Sequence, residues 1–149
     1  MGDEVQRSVK NAAMALLARC EHSRAQLTRK LEARGYQGDE IIIALDALQE
    51  DNSLSEIRFV ECMIRSRAGC GMGPLKIISE LQYKHDIAKV MILRSESWMA
   101  MDWLAIAQDV YNKKYGENPS QQSKNKATQL RFLQQRGFTN DQIYKVIKL

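Results

Sequence analysis

Proline is nearly absent from this chain, with two residues in 149, and glycine numbers only eight. No long β-branched run occurs, and Ala, Leu, Lys, Arg, Gln and Glu dominate. A sequence so short of breakers and so rich in good helix formers points to helices throughout. Cysteine is equally sparse. Cys20, Cys62 and Cys70 are odd in number and lack framework spacing, which excludes a disulfide scaffold and fits a reducing, cytoplasmic setting. Long apolar runs are missing too: the longest, Ile41 to Leu45, is far too short to span a bilayer. The start, Met1-Gly2-Asp3-Glu4, is acidic with no apolar stretch behind it, so a signal peptide is not expected. Gln6 stands where a myristoylation site wants Ser or Thr.

The residues of enzyme chemistry are also thin. Cys20 and His22 are two apart, Cys62 and Cys70 eight apart, and His85 is remote; none of this is structural zinc spacing. Both Cys20 and Cys62 fall at helical positions that read as apolar faces, where cysteine serves as a small hydrophobe. Gly69, Gly71 and Gly73 resemble a phosphate-cradling loop, yet Pro74-Leu75-Lys76 follows where a P-loop needs Gly-Lys-Ser/Thr. Pro74 also stands where the dinucleotide fingerprint wants its last glycine, and no strand precedes it. The expected reading is an inter-helix turn whose free N–H groups could receive an anion. Neither histidine sits in a triad context. No enzyme activity, cofactor or metal is expected.

What is present is periodicity. Val5, Val9, Ala12, Ala13, Leu16, Leu17 and Cys20 recur at helical spacing. Ser23 suits the N-cap of a second helix carrying Leu27 and Leu31, and Gly35 ends it. Asp39 and Glu40 suit the positive start of a third helix, buried through Ile41, Ala44, Leu45 and Leu48. The pattern returns at the end of the chain. Leu133, Arg136, Gly137, Phe138, Asp141 and Ile143 align without a gap on Leu31, Arg34, Gly35, Tyr36, Asp39 and Ile41. A more degraded copy lies between them. It begins with Phe59, Val60, Met63 and Ile64, places Pro74 at a helix start, and puts Leu75, Ile78 and Leu81 on a second stripe. His85 replaces the stopping glycine there, and Ile87, Val90 and Met91 follow on a third helix. The fold class expected is all-α, three tandem three-helix repeats over residues 1–52, 53–97 and 98–149. Such small units are marginal alone and share apolar surface when stacked, so nine helices should form an elongated, curved array.

Charge is the remaining signal. The net is +4, and residues 101–149 carry 8 Lys/Arg against 4 Asp/Glu, so the last third best suits phosphate or an acidic partner. Arg24, Arg29, Lys30 and Arg34 cluster on the second helix. Arg58, Arg65 and Arg67 lie on the fourth, with Lys76 beyond the glycine turn. Lys113, Lys114, Lys124, Lys126, Arg131 and Arg136 crowd the last repeat. These are the candidate partner-binding residues, with Arg65 and Arg67 foremost; Gly35, Gly71, Gly73, Pro74 and Gly137 are the structural turns. For any single cation the plainer role is a solvated helix face. Trp103 and Phe132 read as core.

From Ser23 to Leu81 the chain resembles the bacterial RecX regulators of the RecA recombinase. The resemblance runs through Leu27, Leu31, Arg34-Gly35-Tyr36, Ile41, Leu45, Leu48, Leu54, Arg58-Phe59-Val60, Arg65-Ser66-Arg67, Gly71, Gly73-Pro74, Ile77 and Glu80-Leu81, and the final Arg136-Gly137-Phe138 fits the last repeat. Ser55-Glu56 stands where the family often has an aspartate pair. The resemblance implies a monomer that docks on the RecA filament on single-stranded DNA, blocks strand exchange and slows ATP hydrolysis. Its partners would be RecA and, directly or through RecA, single-stranded DNA, with no membrane. A sequence-specific helix-turn-helix regulator is the alternative, although the third helix is heavily apolar with few base-reading side chains at its start. A helical adaptor for another protein is a further reading.

Overall fold

The computed structural model describes residues 2–116 and 125–148. Ten helices follow one another in them: α1 (Gly2–Arg19), α2 (Arg24–Ala33), α3 (Gly38–Glu50), α4 (Glu56–Gly69), α5 (Pro74–His85), α6 (Lys89–Leu93), α7 (Glu96–Ala100), α8 (Trp103–Tyr115), α9 (Lys126–Gln135) and α10 (Asn140–Ile147). Their starts are set by side chains that accept otherwise unpaired N–H groups. Ser23, Ser55, Ser95, Asp102, Asn125 and Thr139 cap α2, α4, α7, α8, α9 and α10.

The aligned segments of the first and last repeats adopt one geometry. Leu31 and Leu133 are fully buried, as are Ile41 and Ile143. Gly35 and Gly137 take φ of 93° and 98°. Around each, the backbone closes in the same way. Gly35 N–H donates to Glu32 and Tyr36 N–H to Leu31; Gly137 N–H donates to Gln134 and Phe138 N–H to Leu133. These are Schellman turns, in which a left-handed residue returns the chain onto the carbonyls of the helix it leaves. Gly71, at φ 84°, makes a third between α4 and α5.

Three cores succeed one another along the chain. The first gathers Val9, Leu16, Leu27, Leu31, Ile41 and Leu48; the second Phe59, Ile64, Ile77, Leu81 and Ile92; the third Val110, Tyr111, Leu133, Phe138 and Ile143. Ile106 packs against the second and third alike. Three small cores in file take the place of a single large one. The all-α class and the tandem three-helix array expected from the sequence are what the chain forms.

The middle repeat departs from expectation in three ways. The left-handed residue after α5 is Asp86, at φ 54°, and not His85. His85 remains helical and buried, where its ring meets Phe59 at 4.6 Å. The third helix is not one continuous rod. It is α6, five residues long, followed by a second five-residue helix, α7, because Ser95 caps a new start. Val90, placed on the apolar face from sequence, is 55% exposed. The cysteine reading is corrected as well: Cys20 and Cys62, expected on apolar faces, are exposed, as is Cys70.

The two joints between repeats differ in chemistry. Between the second and third, main chain meets main chain. Gly73 N–H donates to Arg136 O at 2.7 Å and Leu75 N–H to Gly137 O at 2.9 Å. A Cβ on Gly73 would stand 2.4 Å from the carbonyl carbon of Gly137, and one on Gly137 would stand 2.4 Å from Cβ of Lys76. Between the first and second repeats the contacts are side-chain and polar. Ser23 Oγ and His85 Nδ1 share a buried hydrogen bond of 2.7 Å. Arg29 donates to Lys84 O, Arg58 pairs with Glu21, and Glu56 accepts from Arg24 N–H.

Three alanine substitutions separate turn strain from joint packing. Gly35→Ala, with open space around it, should cost only the left-handed backbone, about 1–2 kcal/mol. Gly73→Ala, whose φ is ordinary at −81°, should cost about 2 kcal/mol or more through the two joint hydrogen bonds. Gly137→Ala bears both burdens and should be the least stable of the three by urea denaturation.

Candidate interaction surface

Five of the predicted cations are committed inside the molecule. Arg24 pairs with Asp46 at 2.8 Å and donates to Gln49. Arg58 bonds Glu21 and the carbonyls of Asn52 and Ser53, closing the linker before α4. Arg29 reaches Lys84 O, and Lys30 Nζ lies 2.9 Å from Nε2 of the buried His22. Arg67 makes a two-pronged contact with Glu80, at 3.0 and 2.9 Å. That hydrogen-bonded pair holds the Glu80 carboxyl below its ordinary range and raises Arg67. Arg67 therefore stabilises the α4–α5 packing, and its charge is already matched.

Several others gather at the second joint. Arg65, with its side chain 61% exposed, shares a groove with Gly71, Ile106, Asp109, Val110 and Lys113. Arg136 donates to Cys70 O at 3.4 Å and lies over the Phe132 ring, which Lys114 also approaches at 5.2 Å. Lys76 is exposed, with its backbone seated against Gly137. Arg65, Lys76, Lys113 and Arg136 thus surround the glycine turn and make it cationic. Arg34, Lys126 and Arg131 are exposed elsewhere, and they form no side-chain hydrogen bond or ion pair among the described residues. Lys124, and the polar loop to Ser123 after Gly116, lie outside the described residues.

The glycine turn itself does not offer its N–H groups to an anion, as the sequence suggested. Gly71 and Met72 N–H close the Schellman turn, and Gly73 and Leu75 N–H bond the third repeat. What is cationic there is supplied by side chains.

The sequence reading missed the carboxylates that organise this face. Glu61, on α4, accepts from Ser95 Oγ at 2.6 Å and from the N–H groups of Glu96 and Ser97, each at 2.9 Å. Burial works against its charge, but these hydrogen bonds outweigh it and hold the carboxyl at about 2. A carboxylate at a helix start is favourable in its own right. Ser97 in turn accepts from Arg65 at 3.1 Å. The signal available was Ser95, a recognisable cap three residues before Trp98. Among the described residues no cluster of ligands could hold a metal ion, and no helix is long and apolar enough to cross a membrane.

Comparison with known proteins agrees with this architecture. Residues 10–48 match the profile of the first three-helix domain of RecX, and residues 101–147 that of the third. The chain is 39% identical over 140 residues to regulatory protein RecX of Pseudomonas putida (strain GB-1), covering 94% of this chain and 89% of the relative. It is 38% identical over 136 residues to that of Halorhodospira halophila, covering 91% and 84%. Among solved structures, RecX from Lactobacillus salivarius superposes with a TM-score of 0.76 at 19% identity, over 98% of this chain and 96% of that one.

Two pH effects should follow from the buried groups. Burial lowers the pKa of His85, so the fold favours its neutral ring. That contribution is complete above pH 6.5 and is lost as pH falls through the folded value. Glu56, raised by its own burial, works in the opposite sense, so the variant isolates the histidine. The thermal midpoint of His85→Gln should fall less than that of the parent between pH 7.5 and 5.5. For Glu61 the stability is complete above 4.5 and is lost as pH falls toward 2. Glu61→Gln should cost about 1–3 kcal/mol at neutral pH and should converge on the parent near pH 2.

Proposed function

The chain belongs to the RecX family of regulatory proteins, and on that premise we propose that it binds the RecA–single-stranded DNA filament and inhibits RecA. The inhibited activities would be recombination, ATP hydrolysis and the coprotease function, so that the protein modulates DNA repair and the SOS response. It would act in the cytoplasm, as a monomer, without chemistry of its own. The single observation that carries this reading is identity near 39% along nearly the whole chain to proteins named as RecX regulators.

The geometry supports it in kind. Arg65, Lys76, Lys113 and Arg136 place exposed positive charge around one joint of an elongated scaffold. Such a surface suits acidic protein or DNA phosphates, where it would set encounter rate and register more than final affinity. The helix-turn-helix alternative gains nothing from the structure. The first turn of α3 carries Asp39 and Glu40, which oppose phosphate, and the next exposed side chains are Ile42 and Ile43.

RecA ATPase on single-stranded DNA should fall when the protein is added well below equimolar amounts. Reversing Arg65, Lys76 and Lys113 to Glu together should weaken inhibition roughly tenfold, about 1.4 kcal/mol, and reduce its salt dependence, with the helical CD spectrum kept. Arg58→Ala should behave differently and lower the thermal midpoint, because its contacts are internal. No change in ATPase at any ratio would overturn the reading.

A further inference from the structure

The middle repeat is covered by a broken third helix where its neighbours have a whole one. In the first repeat, α3 lies across α1; in the last, α10 lies across α8. These third helices are 13 and 8 residues long. Their counterpart is broken in two: α6, of five residues, packs on α5 and α7, and α7, also of five, lies on α4. An open groove of about 690 Å³ is left between α4, α6 and α7. Its floor is apolar: Ile57, Val60, Val90 and Met91 line it, with Ile57 64% and Val90 55% exposed. Arg65 and Arg94 stand at its edges. Glu61 also lines it, but its charge is already taken by the start of α7.

We propose that this groove receives an amphipathic helix of a partner protein, apolar on its buried face and flanked by Asp or Glu. A backbone entering an apolar groove must satisfy its own N–H and C=O groups. An extended peptide does so on a sheet edge, and the described residues offer none. A helix satisfies them internally and inserts side chains at i, i+3 and i+4. The rims select its charge: Arg94 makes no ion pair among the described residues, and Arg65 has only Glu61 at 3.9 Å. Nucleic acid fits poorly, because the floor is apolar and carries no cation. On the reading above, which this inference rests on, that helix belongs to the RecA subunit.

Ile57→Asp, Val90→Asp and Arg94→Glu test the groove without touching the cationic joint, and their exposure should leave CD and thermal midpoint unaltered. Each should weaken inhibition of the RecA ATPase roughly tenfold. With p-benzoylphenylalanine in place of Val90, illumination on RecA–DNA filaments should crosslink to RecA, at an apolar helical segment bearing Asp or Glu. Crosslinking to DNA, to a second copy of this chain or to nothing would overturn the groove assignment. So would full inhibition by the three variants, which leaves the RecA reading standing. A parent protein that fails to inhibit would instead remove that reading, and the assignment with it.

Discussion

Helix ends carry backbone groups with no partner inside the helix, and this scaffold matches two such ends to each other. The C-cap of α9 and the residue after it, Arg136 and Gly137, offer carbonyls, and the N-cap and second residue of α5, Gly73 and Leu75, offer N–H groups. Each end removes the other's deficit, and the dipoles meet head to tail. The approach needs bare α-carbons on both sides, because a Cβ on either glycine would overlap the other backbone or Lys76. The position of the third repeat on the second follows from this contact. So does the grouping of Arg65, Lys76, Lys113 and Arg136 around the glycine turn.

The first joint solves the same problem with side chains. The C-terminal end of α5 meets the N-terminal end of α2 through His85 and Ser23, and Arg29 satisfies the Lys84 carbonyl. This is why so much of the positive charge in the first two repeats is spoken for. Arg24, Arg29, Arg58 and Arg67 tie elements together, so their guanidinium groups are structural even where partly exposed. Arginine serves this purpose because its planar fork can satisfy a carboxylate or several carbonyls at once.

The features legible from sequence were those with local causes. Gly35 and Gly137 could be read as helix stops because a Schellman turn depends on half a dozen consecutive residues. Leu31, Ile41 and their counterparts could be read as core from periodicity alone. The cationic character of the last repeat was likewise visible as composition. Pairings across the fold were not. Nothing near Arg67 in sequence announces Glu80 as its partner, and nothing near Glu61 announces the start of α7, 34 residues away from it at Ser95. Cys20 and Cys62 were misplaced because Cys20 lies just past the end of α1 and Cys62 faces outward on α4. His85 was misread as a turn residue because the left-handed position had moved one residue along, to Asp86.

A contact written in main chain makes few demands on composition. At the second joint only two positions must go without a side chain; the amides and carbonyls that close it are common to every residue. Sequence around such a seam can drift widely while the angle between neighbouring repeats stays put. The first joint has no such immunity, since losing one histidine, serine or arginine alters it directly. Inherited variation in the bend of this scaffold should therefore accumulate at its amino-terminal articulation.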